Sequence, residues 1–265
     1  MKFVCPKCGA PLAVAECGNA RCENNHSFDR ARAGYYNLLL GSSAGNHGDN
    51  REMLNARRAF LDTGAYRPLA DAVAEICESY AAGGSILDVG CGEGYYTNII
   101  EERCHAEISA FDISKDAVKL AYKRNSHFSL AVASAYSVPV ADSSFDLVTN
   151  MFSPLAVNEI YRALRPNGIF VMAIPGEEHL FGLKSATYKT PYKNEVQPKE
   201  LPGFELISEK RVRYEMHLTS NEEVRSLFMM TPYAYRTGRE ERERILSLCE
   251  LRTDADFYVL TYRKL

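Results

Sequence analysis

Four residues near the amino terminus have the types and the spacing of a metal site. Cys5 and Cys8 form a Cys-x2-Cys pair, and after thirteen further residues Cys22 and His26 form a Cys-x3-His pair. Each pair can supply two corners of a tetrahedral zinc ion while the residues between the pairs close into a loop. If Cys17 replaced Cys22 as a ligand, it would lie nine residues from His26 and would pair poorly with it. We therefore expect zinc to be bound by the Cys5–Cys8 and Cys22–His26 pairs. The alternatives are unrelated thiols or a redox Cys-x2-Cys pair, which normally lies between a strand and a helix.

A glycine-rich segment carries the second chemical signal. An apolar run that contains Asp88 is followed, before a helical pattern, by three glycines spaced by two residues: Gly90, Gly92 and Gly94. Glycines let the backbone pass close to a ligand. A dinucleotide site would show G-x-G-x-x-G and would bind a pyrophosphate. Glu93, inside this loop, would repel a pyrophosphate but suits a ligand that carries ammonium and sulfonium charges.

Polar residues also follow the next three predicted strands. Asp112 lies 18 residues after Gly94, where an acid can accept hydrogen bonds from both ribose hydroxyls of a nucleoside. It could otherwise cap the helix that follows. Ser134 would flank an adenine after the third strand. Asn150 ends the fourth strand, at the edge that faces a second substrate, and it could equally cap the next helix.

A framework of alternating strands and helices must position these residues. The sequence predicts strands at 85–89, 107–111, 128–133, 145–150 and 169–174, and helices at 95–103, 115–124 and 158–164. Such alternation gives a mostly parallel sheet with helices on both faces, and ligands lie at the carboxyl ends of its strands. The tail predicts antiparallel strands added to one edge, at 204–214 and 257–262, with a helix at 222–229.

The residues before the first parallel strand predict a linker and two helices. Residues 41–50 have no apolar periodicity and are expected to form a flexible linker or a mobile loop. A helical pattern begins at residue 51 and ends near Gly64, and Pro68 can begin the next helix, at 69–80.

Length and composition limit the class of protein. With 265 residues, 46% of them hydrophobic, the chain can form one catalytic domain and a small appendage. No apolar run reaches the ~18 residues of a membrane span, and the first residues lack the apolar core of a signal peptide. We therefore expect a cytoplasmic protein with no membrane partner and with reduced cysteines. Residues 1–60 have a net charge of +3 and the remainder −6, so a polyanion would dock near the amino terminus.

The glycine loop, from Asp88 to Gly94, resembles the first motif of class I S-adenosylmethionine methyltransferases. Over essentially its full length the chain resembles the bacterial 23S ribosomal RNA guanine-N1 methyltransferases of the RlmA family. The segments that carry this resemblance are 5–8 with 22–26, 28–29, 34–39, 56–66, 88–97, 175–180 and 230–233. A zinc ribbon combined with this glycine loop is a specific combination, whereas the loop alone is not.

The resemblance implies a Rossmann-like α/β methyltransferase fold with a small amino-terminal zinc-binding module, and S-adenosylmethionine and Zn²⁺ as cofactors. It adds Tyr66 and His179 to the expected cofactor site. Without the family, Tyr66 would be a half-buried helix aromatic and His179 a satisfied histidine near a helix start. The full expected set is Tyr66, Asp88, Gly90, Gly92, Glu93, Gly94, Asp112, Ser134 and His179.

The implied reaction is methyl transfer to N1 of a guanine in a hairpin loop of 23S ribosomal RNA. The chain would then divide into a zinc-ribbon module for RNA docking (1–37), a linker with helices that cover the cofactor site (38–84), and the methyltransferase domain (85–265). Expected partners are the rRNA hairpin and a second copy of the chain in a homodimer. Acceptor-site candidates are Asn150, Tyr233 and Tyr235, and no residue stands out as a general base.

Two other functions fit parts of the sequence. A small-molecule methyltransferase, for example one acting on quinones, would share the glycine loop but would leave the zinc module without a task. A non-catalytic rRNA-binding assembly factor would not need the intact glycine loop or Asp112. Segments 41–50 and 150–154 depart from enteric members of the family, and this leaves open which of two neighbouring guanines is methylated.

Overall fold

Two sheets organise the residues that the computed structural model describes, which are 2–41, 50–196 and 198–265. The small sheet is antiparallel and three-stranded, with β1 (Ala13–Val14), β2 (Ala20–Arg21) and β3 (Ser27–Phe28). Apart from its two end residues, the predicted linker at 41–50 lies outside the described residues. No helix within the described ranges is long and apolar enough to cross a membrane.

The large sheet has eight strands in the order β10-β11-β9-β8-β5-β6-β7-β4. These strands are β4 (Tyr36–Asn37), β5 (Ser85–Val89), β6 (Glu107–Asp112), β7 (Ser129–Val132), β8 (Phe145–Met151), β9 (Leu164–Pro175), β10 (Phe204–Leu218) and β11 (Leu251–Lys264). Strands β4 to β9 pair in parallel, while β11 pairs antiparallel with β9 and β10 antiparallel with β11. This confirms the predicted mostly parallel sheet with antiparallel strands at one edge.

The chain reverses its direction of progress across the sheet at β5. From β5 it continues to β6 and β7 on one side, and then returns to β8 and β9 on the other. The carboxyl ends of β5 and β8 therefore flank the crevice in which doubly wound sheets bind their ligands. The glycine loop follows β5, so the fold places it at this crevice.

Eight α-helices surround the sheet in the described ranges. They are α1 (Arg51–Asp62), α2 (Arg67–Ala81), α3 (Tyr95–Cys104), α4 (Lys115–Arg124), α5 (Val157–Ala163), α6 (Phe181–Thr187), α7 (Asn221–Met229) and α8 (Arg239–Leu246). Local signals explain several ends: the side chain of Asn50 caps α1, and Ser220 with Glu223 forms a capping box on α7. The predicted helices are confirmed to within two residues, and α6 and α8 were not predicted.

The amino-terminal module packs against the large sheet. Phe3 is fully buried and forms an isolated bridge with Val140, and the backbone N–H of Val4 donates to the carbonyl of Pro139 at 2.8 Å. Strand β4 then joins the large sheet by pairing with β7. The module thus shares a hydrophobic cluster with the methyltransferase core instead of depending on its own few side chains.

Candidate functional site

The four predicted zinc ligands converge in the structure. Their ligand atoms, on Cys5, Cys8, Cys22 and His26, all lie within 4.8 Å of one another. The sulfur of Cys8 is 3.7 Å from that of Cys22, and the Nδ1 atom of His26 is 3.4 Å from the sulfur of Cys5 and 3.5 Å from that of Cys22. Turns after Cys5 and Cys22, each closed by backbone hydrogen bonds, orient the pairs.

These distances fit a tetrahedral zinc ion. With Zn–S near 2.3 Å and Zn–N near 2.05 Å, sulfur atoms lie about 3.8 Å apart and a sulfur and a nitrogen about 3.6 Å apart. A hydrogen bond from the side chain of Asn24 lowers the pKa of Cys8 to about 6, which favours the thiolate that a metal needs. Cys17, which is exposed, is not part of this cluster.

The three loop glycines each have a positive φ, and they differ in which atoms surround the position that a Cβ would take. A Cβ on Gly90 would lie 2.4 Å from the Cβ of Ser153, and one on Gly94 would lie 3.1 Å from Ala121. These two glycines allow close packing of the loop against its neighbours. A Cβ on Gly92 would meet no atom of the described residues within 4 Å. At Gly92 the space next to the backbone is therefore available to a ligand.

Asp88 lies beneath the glycine loop and is buried. Its carboxylate accepts hydrogen bonds from the hydroxyls of Thr97, at 2.5 Å, and Thr149, at 2.9 Å. Burial raises the pKa of Asp88 from its ordinary value near 3.8 to about 6, although both hydroxyls oppose this. Both carboxylate oxygens therefore have protein partners, and these hydrogen bonds connect β5 to α3 and β8. Contact of Asp88 with the cofactor stays a prediction.

We expect Asp88→Asn to change how stability depends on pH. The carboxyl group of Asp88 is protonated below about pH 6 in the folded protein, but only below about pH 4 in the unfolded chain. Because the folded state binds this proton more tightly, the contribution of Asp88 to stability falls as pH rises between these two values. Asparagine does not titrate. The free energy of unfolding of Asp88→Asn relative to the parent should therefore rise by about 3 kcal/mol from pH 4 to pH 7. Urea titrations of the ligand-free protein would measure it, and a pH-independent difference would contradict the assignment.

Asp112 stands at the end of β6 and faces the glycine loop. One of its carboxylate oxygens accepts the backbone N–H of Gly92 at 3.0 Å, and the other accepts that of Ser114 at 2.8 Å. Helix α4 is capped by the hydroxyl of Ser114, so the alternative reading of Asp112 as the cap is wrong. The half-buried carboxylate lies where the sequence predicted a ribose acceptor.

Glu93 has a protein partner that the sequence did not indicate. Its buried carboxylate accepts hydrogen bonds from Arg124 at 2.6 and 3.0 Å, and Arg124 also bonds Asp62 at 2.8 Å, so α4 connects the glycine loop to α1. The Oε1 atom of Glu93 is buried and has no hydrogen-bond partner among the described residues. Burial also raises the pKa of Glu93. One oxygen thus remains for the predicted ligand contact.

Tyr66 and His179 lie 113 positions apart in the sequence and meet at the site. The Tyr66 hydroxyl is 3.4 Å from Nε2 of His179, and both rings pack against Phe257. The Nδ1 atom of His179 accepts the backbone N–H of Asp256. Burial lowers the pKa of His179 to about 3, so the ring is neutral near pH 7. Neutral His179 therefore carries its proton on Nε2, towards Tyr66. Tyr66 itself is buried, and not half-buried as the alternative reading had it.

The segment after β8 presents an aromatic ring that the sequence did not single out. Phe152 is 45% exposed, and its ring centroid is 5.5 Å from that of Phe257 and 6.1 Å from that of Tyr96. Asn150 is buried, and its side-chain amide donates to the carbonyl of Pro154. Since α5 begins only at Val157, the alternative of Asn150 as a helix cap is wrong.

The remaining candidates occupy other positions. The side-chain oxygen of Ser134 accepts the backbone N–H of Tyr136 in the turn after β7. Tyr233 is half-buried and its ring lies over the ammonium group of the buried Lys184, while the exposed Tyr235 bonds the side chain of Asn50 at 3.4 Å. The structure thus joins Asp112 to the glycine loop, and ring contacts through Phe257 connect Tyr66 and His179 to the segment after β8. Contact of Ser134, Tyr233 or Tyr235 with a ligand stays a prediction.

Comparison with known proteins assigns both parts of the chain. Residues 3–40 match the amino-terminal region of RlmA, and residues 87–172 match a methyltransferase domain family. A 23S rRNA (guanine(748)-N(1))-methyltransferase of Streptomyces fradiae is 34% identical over 81% of this chain and 79% of its own. A relative from Micromonospora griseorubida is 32% identical over 88% of this chain and 86% of its own.

The likeness to solved structures supports the fold alone. The crystal structure of MccD protein has a TM-score of 0.50 and 20% identity, and the match covers 75% of this chain and 98% of that one. The sequence matches go further, because they extend over most of the chain and include the zinc ribbon as well as the methyltransferase domain. The chain belongs to the RlmA family of 23S rRNA (guanine-N1-)-methyltransferases.

Proposed function

We propose that this protein transfers the methyl group of S-adenosylmethionine to N1 of a guanine in a hairpin loop of 23S rRNA. The observation that carries the proposal is the combination of two sites on one sheet: a glycine loop at the crevice between β5 and β8, and a tetrahedral cysteine–histidine cluster packed against the β7 side of the sheet. The family supplies the base and the atom. A quinone-type substrate or an assembly factor would leave one of these sites without a role.

The cofactor would be held by groups that the structure already orients. The open space beside Gly92 admits it, and the carboxylate of Asp112 would accept its ribose hydroxyls. The Glu93 oxygen that has no hydrogen-bond partner among the described residues, and the hydroxyl of Tyr66, would contact polar groups of the cofactor. S-adenosylmethionine supplies an activated sulfonium methyl group and leaves as a neutral thioether. Neutral His179 adds no positive charge that would repel the sulfonium.

The protein's part in the reaction would be alignment and exclusion of water. A guanine N1 that is paired within a duplex cannot reach the crevice, so the base must be unpaired or flipped out. Its N1 proton must also leave before or during transfer. Tyr66 does not offer a base here, because burial raises the pKa of its phenol. Asp88 does not offer one either, because both of its carboxylate oxygens accept hydrogen bonds from threonine hydroxyls.

Asp112→Ala should weaken the binding of S-adenosylmethionine. The change removes the proposed ribose acceptor and the bond to the Gly92 backbone, and losing hydrogen bonds to a charged group costs roughly 1.5–3 kcal/mol. The expected loss of affinity is about 10-fold to 150-fold by calorimetry. Asp116→Ala is the matched control, because Asp116 lies four residues along, on the surface, where its carboxylate forms an ion pair with Lys119. Equal affinities for the two variants would exclude a ribose role for Asp112.

Methylation of rRNA is the direct test of the proposal. The purified full chain is incubated with a 23S rRNA transcript and S-adenosylmethionine, and the modified nucleotide is located by mass mapping. We expect methylation at guanine N1 in a hairpin loop. Modification of a quinone but never of rRNA would overturn the proposed function. Methylation that requires another protein as the active subunit would favour the assembly factor.

The docking role of the zinc module is tested separately. Arg30 and Arg32 follow the zinc cluster and are exposed. If they contact phosphates, replacing both with glutamine should weaken RNA binding and reduce the slope of log K against log salt by roughly 1.5. Cofactor affinity should not change. An unchanged salt slope would contradict this docking role.

Three further expectations remain part of the proposal. The division at residues 37/38 and 84/85 stays a prediction, as does a homodimer, which light scattering on the purified chain would test. A ribosomal substrate would place the protein in the cytoplasm.

A further inference from the structure

Phe152 has a backbone conformation that residues other than glycine rarely adopt. Its φ is +58°, in the left-handed region, where a Cβ crowds the following carbonyl group. Bulky side chains are uncommon there, and such strain persists only where the surrounding structure enforces it. Phe152 directly follows the end of β8, beside the crevice between β5 and β8.

The flanking residues enforce this conformation. On one side the amide of Asn150 donates to the carbonyl of Pro154 at 3.2 Å and closes the turn. The hydroxyl of Ser153 donates to the carbonyl of Val89 at 2.7 Å, which fixes the turn to the strand that precedes the glycine loop. Gly90 makes room for this contact, because any Cβ there would collide with Ser153. The cofactor loop and the turn that carries Phe152 are thus built together.

The strained turn holds an apolar ring partly in solvent. Phe152 remains 45% exposed although it lies next to a hydrophobic cluster. Its ring packs near Phe257 and Tyr96, and Phe257 in turn contacts Tyr66 and His179. A ring that is supported from the protein side and open on the other is the arrangement used to stack an unpaired base.

We propose that the exposed ring of Phe152, fixed by its strained turn beside the glycine loop, stacks against the guanine that receives the methyl group. This inference rests on the proposed function and names a residue that touches the acceptor. It favours Phe152 over two of the acceptor-site candidates from the sequence, Tyr233 and Tyr235, as the residue that stacks on the base. The first is half-buried over Lys184, and the second extends to Asn50 at the start of α1.

The test compares Phe152→Leu with Phe152→Tyr on the full chain and an rRNA hairpin transcript. Leucine keeps the Cβ, and with it the backbone strain, but removes the aromatic face; tyrosine keeps the face. We expect Phe152→Leu to lower kcat/KM for the hairpin by roughly 10-fold to 100-fold, the size of a lost base stack. Phe152→Tyr should stay within about threefold of the parent. Both variants should bind S-adenosylmethionine as the parent does.

Tyr80→Leu is the matched control. Tyr80 is 47% exposed, about as much as Phe152, but it lies near the end of α2 and lines a surface depression with Asp146, at the amino end of β8. The Tyr80→Leu variant should methylate the hairpin at the parental rate. Melting curves check that all variants are folded at the assay temperature.

The possible results separate the two proposals. If the parent protein does not methylate the hairpin, the proposed function is wrong and this inference with it. If the parent is active and Phe152→Leu has the same kcat/KM, the proposed function stands and the stacking role is wrong. Loss of S-adenosylmethionine affinity in Phe152→Leu, in parallel with activity, would also overturn the stacking role, because the ring would then act on the cofactor.

Discussion

Replacing Cys22 with serine is expected to release the zinc ion and to unfold the amino-terminal module. The β1–β3 sheet has strands of only two residues, so it needs the metal in addition to the packing of the module against the large sheet. Zinc binding to small modules of this kind contributes on the order of 10 kcal/mol. Metal analysis should show one zinc per chain in the parent and essentially none in Cys22→Ser. Hydrogen exchange should show loss of protection in residues 3–30.

Cys17→Ser is the control for this experiment. Cys17 lies five residues before Cys22 in the same small sheet region, but it is exposed and outside the ligand cluster. It should keep its zinc and its protection against exchange. Stoichiometric zinc in Cys22→Ser would mean that the cluster is not the metal site.

Gly92→Val should abolish measurable binding of S-adenosylmethionine, with a loss of affinity of at least about 100-fold. Within the described part of the chain, no atom lies within 4 Å of the position that a Cβ would take at Gly92. The folded protein therefore has room for the valine side chain, which would instead occupy the space of the ligand. Isothermal titration with S-adenosylmethionine and with its demethylated product measures the effect.

Gly64→Val separates the steric effect from backbone strain. Gly64 also has a positive φ and open space where its Cβ would be, but it lies just after the end of α1 and is not part of the glycine loop. Both variants should lose a similar amount of folding stability, roughly 1–2 kcal/mol. Only Gly92→Val should lose the cofactor. Intact affinity in Gly92→Val would move the cofactor away from this loop.

The sequence was sufficient for features that depend on local pattern. Strand β5, the helix after the glycine loop and helix α4 were predicted almost to the residue, because apolar periodicity and a capping serine at 114 define them. The metal cluster was also predictable, since two ligand pairs with tight spacing leave few geometries.

Features that depend on contacts between distant residues were not predictable. Arg124 pairs with Glu93 across 31 positions, and no periodicity marks it as a partner of the glycine loop. The positive φ of Phe152 comes from hydrogen bonds made by its neighbours, not from its own residue type, which disfavours it. Helix α8 has a highly charged sequence without a clear apolar face, and it is held by the burial of Ile245 and by hydrogen bonds from Arg244 to the carbonyls of Ala186 and Thr187.

The contact between module and sheet changes how the zinc ribbon can be studied. A truncation that begins near residue 51 would keep the glycine loop, yet it would remove Phe3, Tyr36 and Leu38 from a buried cluster that includes Val138 and Val140. Loss of rRNA methylation in such a fragment would then report destabilisation as well as loss of docking. Substitutions at the exposed Arg30 and Arg32 avoid this problem.

The position of β4 has a further consequence, for solubility. A parallel sheet that ended at β7 would present unpaired N–H and C=O groups along an apolar strand, which is a template for strand addition by another chain. The two residues of β4 cover this edge and are too short to extend the sheet further. At the opposite edge β10 is long, but most of its residues are exposed and charges of both signs line it. Loss of zinc would therefore loosen the segment that protects β7, and metal depletion should promote aggregation before the catalytic domain itself melts.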